Sequence, residues 1–427
     1  MNFLVNVFGV VVFLGIALLF SKKRSQIKWK SVIIMVALNL FLAWFLTSFS
    51  VGRGIVEAAA NGFNELIQVA FKGISFAFAD WVNVKQMNFF TSVLLPILLI
   101  VPMFDILTYF KILPWVIKWV GRGLAKVSGQ PKFESFFSVE MMFLGNTEAL
   151  AVSGLQLRQM KAERNLTLAM MSMSCVTASI IGAYTSMMPG QFILTAVPIN
   201  VVNALIITSI LNPVDVTPEE DTIATFSSAK QDEIQDAESG SEELAKAETR
   251  EDLHAAEKTE REPFFSFLGD SILNAGKLIL IIAANVIAFV ALAALVDKIL
   301  TAFNPWLTLE HILGIILFPF AWLTGVGNDH AFQLAQYMGT KLVTNEFVVM
   351  GDVTSKIHTF PAHYRAVLTV FLTSFANLST VGMIIGCFKG LVDDQKNAVI
   401  AKNVGYLLLS GILVSLLSSG MVGLFIW

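Results

Sequence analysis

Charge is scarce in this chain of 427 residues: 14% of the side chains are Asp, Glu, Lys or Arg, against 55% hydrophobic. A soluble globular protein carries about 25% charged residues, so there is too little polar material to cover a water-facing surface, and most soluble enzyme classes are excluded. Cysteine is scarcer still. The two present, Cys175 and Cys387, both lie in apolar stretches, which excludes a disulfide-stapled secreted domain and reads as two buried thiols with neither a bridge nor a metal site. A net charge of −3 without a basic patch excludes nucleic acid as a partner. Histidine is equally thin: His254, His311, His330, His358 and His363 are scattered. No HExxH, GxSxG or Walker motif occurs, so the chain is read as no enzyme and as needing no cofactor. What is present is apolar bulk, including 35 phenylalanines. An all-α polytopic membrane protein is the class that remains.

The little charge there is falls unevenly. Residues 214–263 hold 16 Asp/Glu and 5 Lys/Arg, a net of −11, which leaves the rest of the chain at +8. This segment is rich in Glu, Ala and Ser and nearly empty of large apolar residues, so it cannot bury enough surface to offset its ordering entropy. A disordered loop between two membrane halves is expected there.

Apolar runs long enough to cross a hydrocarbon core of ~30 Å occupy residues 2–20, 31–49, 89–110, 166–189, 192–211, 272–296, 366–388 and 404–427. They predict eight transmembrane helices. The first run reads as a span and not as a cleaved signal, because no positive region precedes it, no small-residue cleavage site follows it, and Lys22, Lys23, Arg24, Lys28 and Lys30 come directly after. The positive-inside rule keeps those residues cytoplasmic and puts both termini outside. The same alternation gathers Lys111, Lys118, Arg122, Lys126, Lys132, Arg158, Lys161, Arg164, Lys389, Lys396 and Lys402 inside, together with the acidic loop. The expected location is the plasma or inner membrane of the cell. Two further stretches have the pattern of helices lying in the membrane interface. From Ile55 to Phe71 the apolar residues Ile55, Ala59, Phe63, Leu66, Ile67 and Ala70 share one side; Leu113 to Val127 carries Trp115, Trp119, Lys118 and Arg122.

Two moderately apolar regions, 133–157 and 329–353, are interrupted midway by Asn146-Thr147-Glu148 and Thr344-Asn345-Glu346. Each arm is too short to span, which predicts re-entrant hairpins with tips near the midplane. A carboxylate at that depth costs ~2.5–3.5 kcal/mol on the lenient scale, so such residues normally line a polar cavity. The two glutamates, Glu148 and Glu346, stand 198 positions apart, and the arginines that follow, Arg164 and Arg365, 201 apart. Each arginine precedes a span broken by a polar cluster, Ser174 to Ser179 and Ser374 to Thr380. Three spans separate the hairpins, so the second enters from the opposite face and the repeats are inverted, the architecture of secondary transporters. The domain organisation expected is an N-terminal scaffold with an interfacial helix (1–88), a first repeat (89–213), the acidic loop (214–263) and a second repeat (264–427).

The polar inventory at the midplane comprises amides (Asn146, Asn345, Asn377), hydroxyls (Thr147, Ser179, Ser379, Thr380) and the two carboxylates. It suits a neutral, hydroxylated solute with a planar hydrogen-bonding group, against which Phe375 or Phe347 could stack. No Lys or Arg stands at either tip to receive a phosphate or carboxylate. Because a dry site favours the neutral carboxyl, Glu148 and Glu346 are candidate proton carriers.

The stretches FLGNTEAL, SxxTASIIGAY, LGIILFPFAWLTGV, KLVTNEFVxM and SFANLSTVGMIIG resemble the concentrative nucleoside transporter family, in the bacterial branch with eight transmembrane helices and two re-entrant hairpins. The resemblance covers the chain apart from the acidic loop. It implies a homotrimer whose subunits each carry a nucleoside by an elevator-like movement driven by a Na⁺ or H⁺ gradient. By position it implies that Asn146, Thr147 and Glu148 stand for the first hairpin's Gln-Thr-Glu motif, whose amide contacts the base. Glu346 and Asn377 match ribose-binding residues, Thr380 stands where a serine is usual, Phe375 matches an aromatic near the base, and Ile180 falls beside the site. Two departures matter. Asn146 is one methylene shorter than the usual Gln. The positions that help hold Na⁺ in Na⁺-coupled members are Met141 and Cys175, a thioether and a thiol, which are poor ligands for a hard cation. H⁺ coupling is therefore expected, with Na⁺ as the alternative. A membrane-embedded enzyme and a channel are the remaining rival classes.

Overall fold

The computed structural model describes residues 2–82, 84, 87–217, 219–223 and 263–427, and among them it is helical throughout, with no strand. Most of the acidic segment, 224–262, lies outside the described residues, and with it the expectation made for that loop. Six helices are long and apolar enough to cross a membrane: Asn2–Leu19, Trp29–Thr47, Phe90–Tyr109, Gly190–Leu211, Phe264–Phe303 and Val404–Gly423. They correspond to six of the eight apolar runs. The other two runs are each broken in two, into Ala162–Ser172 and Ala178–Thr185, and into Ala362–Leu372 and Leu378–Leu391. The breaks, 173–177 and 373–377, fall on the polar clusters.

Local chemistry sets these boundaries. Prolines at 131, 189, 263 and 361 immediately precede Lys132–Leu144, Gly190–Leu211, Phe264–Phe303 and Ala362–Leu372; a proline there forfeits no helical hydrogen bond. At the breaks, Thr177 Oγ1 accepts from the Ser179 amide and Asn377 Oδ1 accepts from the Thr380 amide, so each second piece starts on a side-chain cap.

The two interrupted regions form helix–break–helix pairs. Lys132–Leu144 is followed by Asn146–Val152, and Asn328–Val343 by Glu346–Val353. At about 1.5 Å per residue the longest of these arms is ~24 Å, short of the ~30 Å hydrocarbon core. Between Lys132–Leu144 and its return arm stands Gly145 at φ +90°, and a Cβ there would lie 2.9 Å from that of Thr177. Only glycine tolerates both the backbone conformation and the approach to the first break.

Gly190–Leu211, buried nearly all round, runs through the centre of the molecule. Around it pack Val404–Gly423, Trp29–Thr47, the first hairpin and the first pieces of both broken helices. Phe264–Phe303 is the opposite case, since Ser271, Ala275 and Ile279 are its only buried residues. It is held on Ile97–Tyr109, where the Ser271 hydroxyl donates to Asp105. A helix apolar all round yet exposed in the protomer calls for apolar surroundings outside the chain.

One end of the molecule collects the basic residues. Lys28 meets Asp215 at 3.6 Å, Lys161 meets Glu220 at 2.5 Å, and Lys132 meets Asp221 at 3.8 Å. Lys396 and Arg158 cross-link the same end through the Arg158 and Leu391 carbonyls. The basic clusters that charge bias groups together and the beginning of the acidic segment therefore share one face.

Several expectations need correction. Cys175 is buried as expected, but Cys387 is only half-buried on Leu378–Leu391. The interfacial helix is longer than its periodicity suggested, Ser50–Ala77, and its protein-facing stripe is Gly52, Val56, Ala60, Ile67, Ala70 and Ile74. Ile55, expected on that stripe, is 57% exposed, because the helix also has an apolar side turned away from the protein. Leu309–Leu323, 15 residues long, was not recognised as an element of its own; it packs along Asn328–Val343. The matched arginines are not equivalent. Arg164 is buried and bonded to both Glu134 oxygens at 2.8 Å, whereas Arg365 is half-buried and reaches only the His358 carbonyl, at 3.5 Å.

Candidate functional site

Both breaks and both hairpin turns converge on one cavity of about 140 Å³. All eight residues singled out from the sequence line it: Asn146, Thr147, Glu148, Ile180, Glu346, Phe375, Asn377 and Thr380. Their proximity follows from the local structure. Each lies at or within three residues of a helix end that stops in the protein interior, where the first N–H groups of the next helix have no helical partner.

Glu346 is the most fully engaged of the carboxylates facing the cavity. It opens the helix Glu346–Val353, and the side chain of Asn345 caps that helix by accepting from the Val348 amide at 3.1 Å. Tyr184 Oη donates to Glu346 Oε1 at 2.8 Å, and Asn377 Nδ2 donates to Glu346 Oε2 at 3.2 Å. Asn377 also accepts from the Thr380 amide and hydroxyl at 2.9 and 3.0 Å, which fixes its amide with the nitrogen toward the carboxylate. The result is a buried acceptor pair with spare lone pairs, suited to donor hydroxyls on a neutral solute.

Opposite lies the first hairpin turn. Asn146 is buried, its Nδ2 donates to the Ser172 carbonyl at 3.2 Å, and its Oδ1 accepts from the Thr147 amide at 3.0 Å. The shorter amide is thus tied to the first break as well as lining the cavity. Glu148 lines the cavity with its side chain exposed. Thr177 and Ser179 complete this side with their hydroxyls 2.9 Å apart. Phe375 lies on the cavity wall, and so does Phe347, which is held edge-on by Tyr184 at 5.1 Å and Phe89 at 5.8 Å.

Sequence reasoning passed over three contributors. Leu278, Ile281, Ile282 and Asn285 from the long helix Phe264–Phe303 close one side; Asn285, an amide inside an apolar run, was the available signal. Tyr184 was within a quoted motif but gave no indication of its partner 162 residues away. Lys341 is fully buried and donates to the Phe371 carbonyl at 2.5 Å and Ser374 Oγ at 2.6 Å; a lysine inside a hairpin arm was the signal.

Met141 and Cys175 are both buried beside the first break. Ser172 Oγ donates to Met141 Sδ at 3.4 Å, and Cys175 Sγ donates to the Met171 carbonyl at 3.7 Å. Two sulfurs thus stand among the hydroxyls of Ser172 and Ser174 at this break. Among the described residues no group of three His, Cys, Asp or Glu is arranged to hold a metal.

The family model described as "Na+ dependent nucleoside transporter C-terminus" matches residues 192–423, and its N-terminus counterpart matches residues 8–81. The purine nucleoside transport protein NupG of Bacillus subtilis is 43% identical over 427 residues, covering all of both chains. The nucleoside permease NupC of Helicobacter pylori is 25% identical over 99% of this chain and 98% of its own. Among solved structures, CNTnw in an inward-facing substrate-bound state superposes with a TM-score of 0.84 at 22% identity, over 100% of this chain and 98% of that one.

Proposed function

The chain belongs to the concentrative nucleoside transporter family, and on that premise we propose that it imports purine nucleosides by symport with protons, binding them in the cavity between the hairpin turns. It is a multi-pass membrane transporter and not an enzyme. The observation that carries the substrate site is the set of donors and acceptors gathered on Glu346, with Asn146, Thr147 and Glu148 across the cavity. In this reading Glu346 and Asn377 take the ribose hydroxyls, Asn146 faces the base and Phe375 stacks on it, with Thr147, Ile180 and Thr380 shaping the remainder. The purine preference rests on the 43% identity to a purine nucleoside transport protein.

The coupling ion is read from Met141 and Cys175. A thioether and a thiol packed beside the first break offer little to Na⁺, which prefers oxygen. A proton needs only a carboxylate, and Glu148 and Glu346 are the candidates. The hairpins are re-entrant in this reading, the movement is elevator-like, the assembly is a homotrimer, and the basic face with the acidic segment is cytoplasmic in the plasma or inner membrane.

The test is uptake of labelled inosine by the purified protein in proteoliposomes, with purine and pyrimidine nucleosides as competitors. Saturable uptake driven by an inward proton gradient and abolished by Glu346→Gln is expected, with purines the better competitors. Uptake that persists on a Na⁺ gradient with the proton gradient collapsed would overturn the coupling, and uptake untouched by Glu346→Gln would overturn the site.

A further inference from the structure

The two broken helices meet the same physical problem with different chemistry. A helix that stops inside the protein leaves its last carbonyls without partners, at the negative end of its dipole. In the first break these are met by neutral donors. The Met170 carbonyl accepts from the Ser410 hydroxyl at 3.3 Å, that of Met171 from Ser174 Oγ at 3.2 Å and Cys175 Sγ at 3.7 Å, and that of Ser172 from the Asn146 amide. In the second break the carbonyl matching Met171, 200 positions on, is that of Phe371, and besides the Ser374 hydroxyl it receives the Nζ of Lys341.

That ammonium sits in an oxygen cage. Besides the Phe371 carbonyl it reaches Ser374 Oγ, which is itself 2.6 Å from Ser415 Oγ, and it stands 4.5 Å from the centre of the Phe371 ring. Carbonyl, hydroxyl and ring face all favour a cation. Lys341 and Glu346 stand on the two arms of the second helix–break–helix pair and are tied to the same break, Lys341 through Ser374 and Glu346 through Asn377. They form no direct ion pair.

We propose that Lys341 is a tethered counter-cation for the second half of the transporter. Its ammonium fills at the second break the position a free cation would otherwise occupy, and it balances the Glu346 carboxylate from behind the cavity. The same contacts hold Ser374 and, through it, the run from Phe375 to Asn377 that lines the site, so Lys341 is a positioning residue. This inference rests on the reading of Glu346 as a substrate ligand.

The test combines chemical rescue with a melting cycle on the full-length protein. Inosine binding is measured for wild type, Lys341→Ala and Lys341→Met, with and without methyl-, ethyl- or propylammonium. Lys341→Met is expected to bind at least tenfold more weakly. An alkylammonium is expected to restore Lys341→Ala at least fivefold and to leave wild type and Lys341→Met, whose cage is filled, unchanged. Binding by Lys341→Met within twofold of wild type, or a folded Lys341→Ala that no amine improves, would overturn the proposal. Where Lys341→Ala does not survive purification, melting temperatures of Lys341→Met, Glu346→Gln and the double variant decide. A counter-cation requires the double variant to melt at or above Lys341→Met, and losses that simply add overturn it. Wild type that binds no nucleoside would overturn the reading of the cavity, and the melting cycle would still decide the counter-charge.

Discussion

The hydroxyl of Tyr184, on the second piece of the first broken helix, lies 2.8 Å from a carboxylate oxygen of Glu346, on the second hairpin, so a single bond joins the two halves of the chain at the cavity. A hydrogen bond to a charged group contributes about 1.5–3 kcal/mol. Tyr184→Phe removes the donor and keeps the ring that packs on Phe347. Because the bond is already made in the empty cavity, its loss is expected to lower the melting temperature by about a few degrees and, by freeing the carboxylate, to weaken nucleoside binding. A binding titration with wild-type affinity in Tyr184→Phe would detach the bond from recognition.

Asn146 spends its Nδ2 on the Ser172 carbonyl. Lengthening it by one methylene in Asn146→Gln carries the amide further into the cavity and frees it from that contact. The ratio of purine to pyrimidine affinity is expected to change by at least fivefold, read from competition against labelled inosine. An unchanged ratio would place the base elsewhere.

Arg164 and Glu134 form a buried, two-pronged pair. Removing one partner of such a pair costs about 3–5 kcal/mol, because the other charge is stranded. Arg164→Met is therefore expected to lower the melting temperature strongly, and Arg365→Met, at the matched position in the second half, to do so only slightly. Equal losses would contradict the structural inequality of the two arginines.

Met141→Asn with Cys175→Ser exchanges two sulfurs for oxygens beside the first break. Uptake by this double variant is expected to acquire stimulation by Na⁺, where wild type has none. A double variant that folds and transports but ignores Na⁺ would show that those two positions do not select the ion.

Six of the eight apolar runs became long helices, the polar triplets fell at breaks between helices and the eight residues line one cavity, because each leaves a local mark: a long apolar run, a polar triplet within one, a repeat near 200 residues. Tyr184–Glu346 and Lys341–Phe371 left none, since a partner far along the chain has no periodicity to betray it. Burial of Cys387 was misread because an apolar run records contact with lipid as faithfully as contact with protein. Ile55 is the same case, on a helix with two apolar sides. Leu309–Leu323 escaped because, at 15 residues, it falls below the length by which a span is recognised.

The helix Phe264–Phe303 runs for 40 residues, about 60 Å at 1.5 Å per residue, twice the ~30 Å of a hydrocarbon core. Its apolar stretch, 272–296, is about 38 Å by the same rise, bounded by Asp270 and Asp297, and its orientation is set by its packing on Ile97–Tyr109. Leu278, Ile281, Ile282 and Asn285 on this helix also form one side of the cavity. One element therefore carries both contacts, and whatever shifts its packing on Ile97–Tyr109 also reshapes the cavity wall.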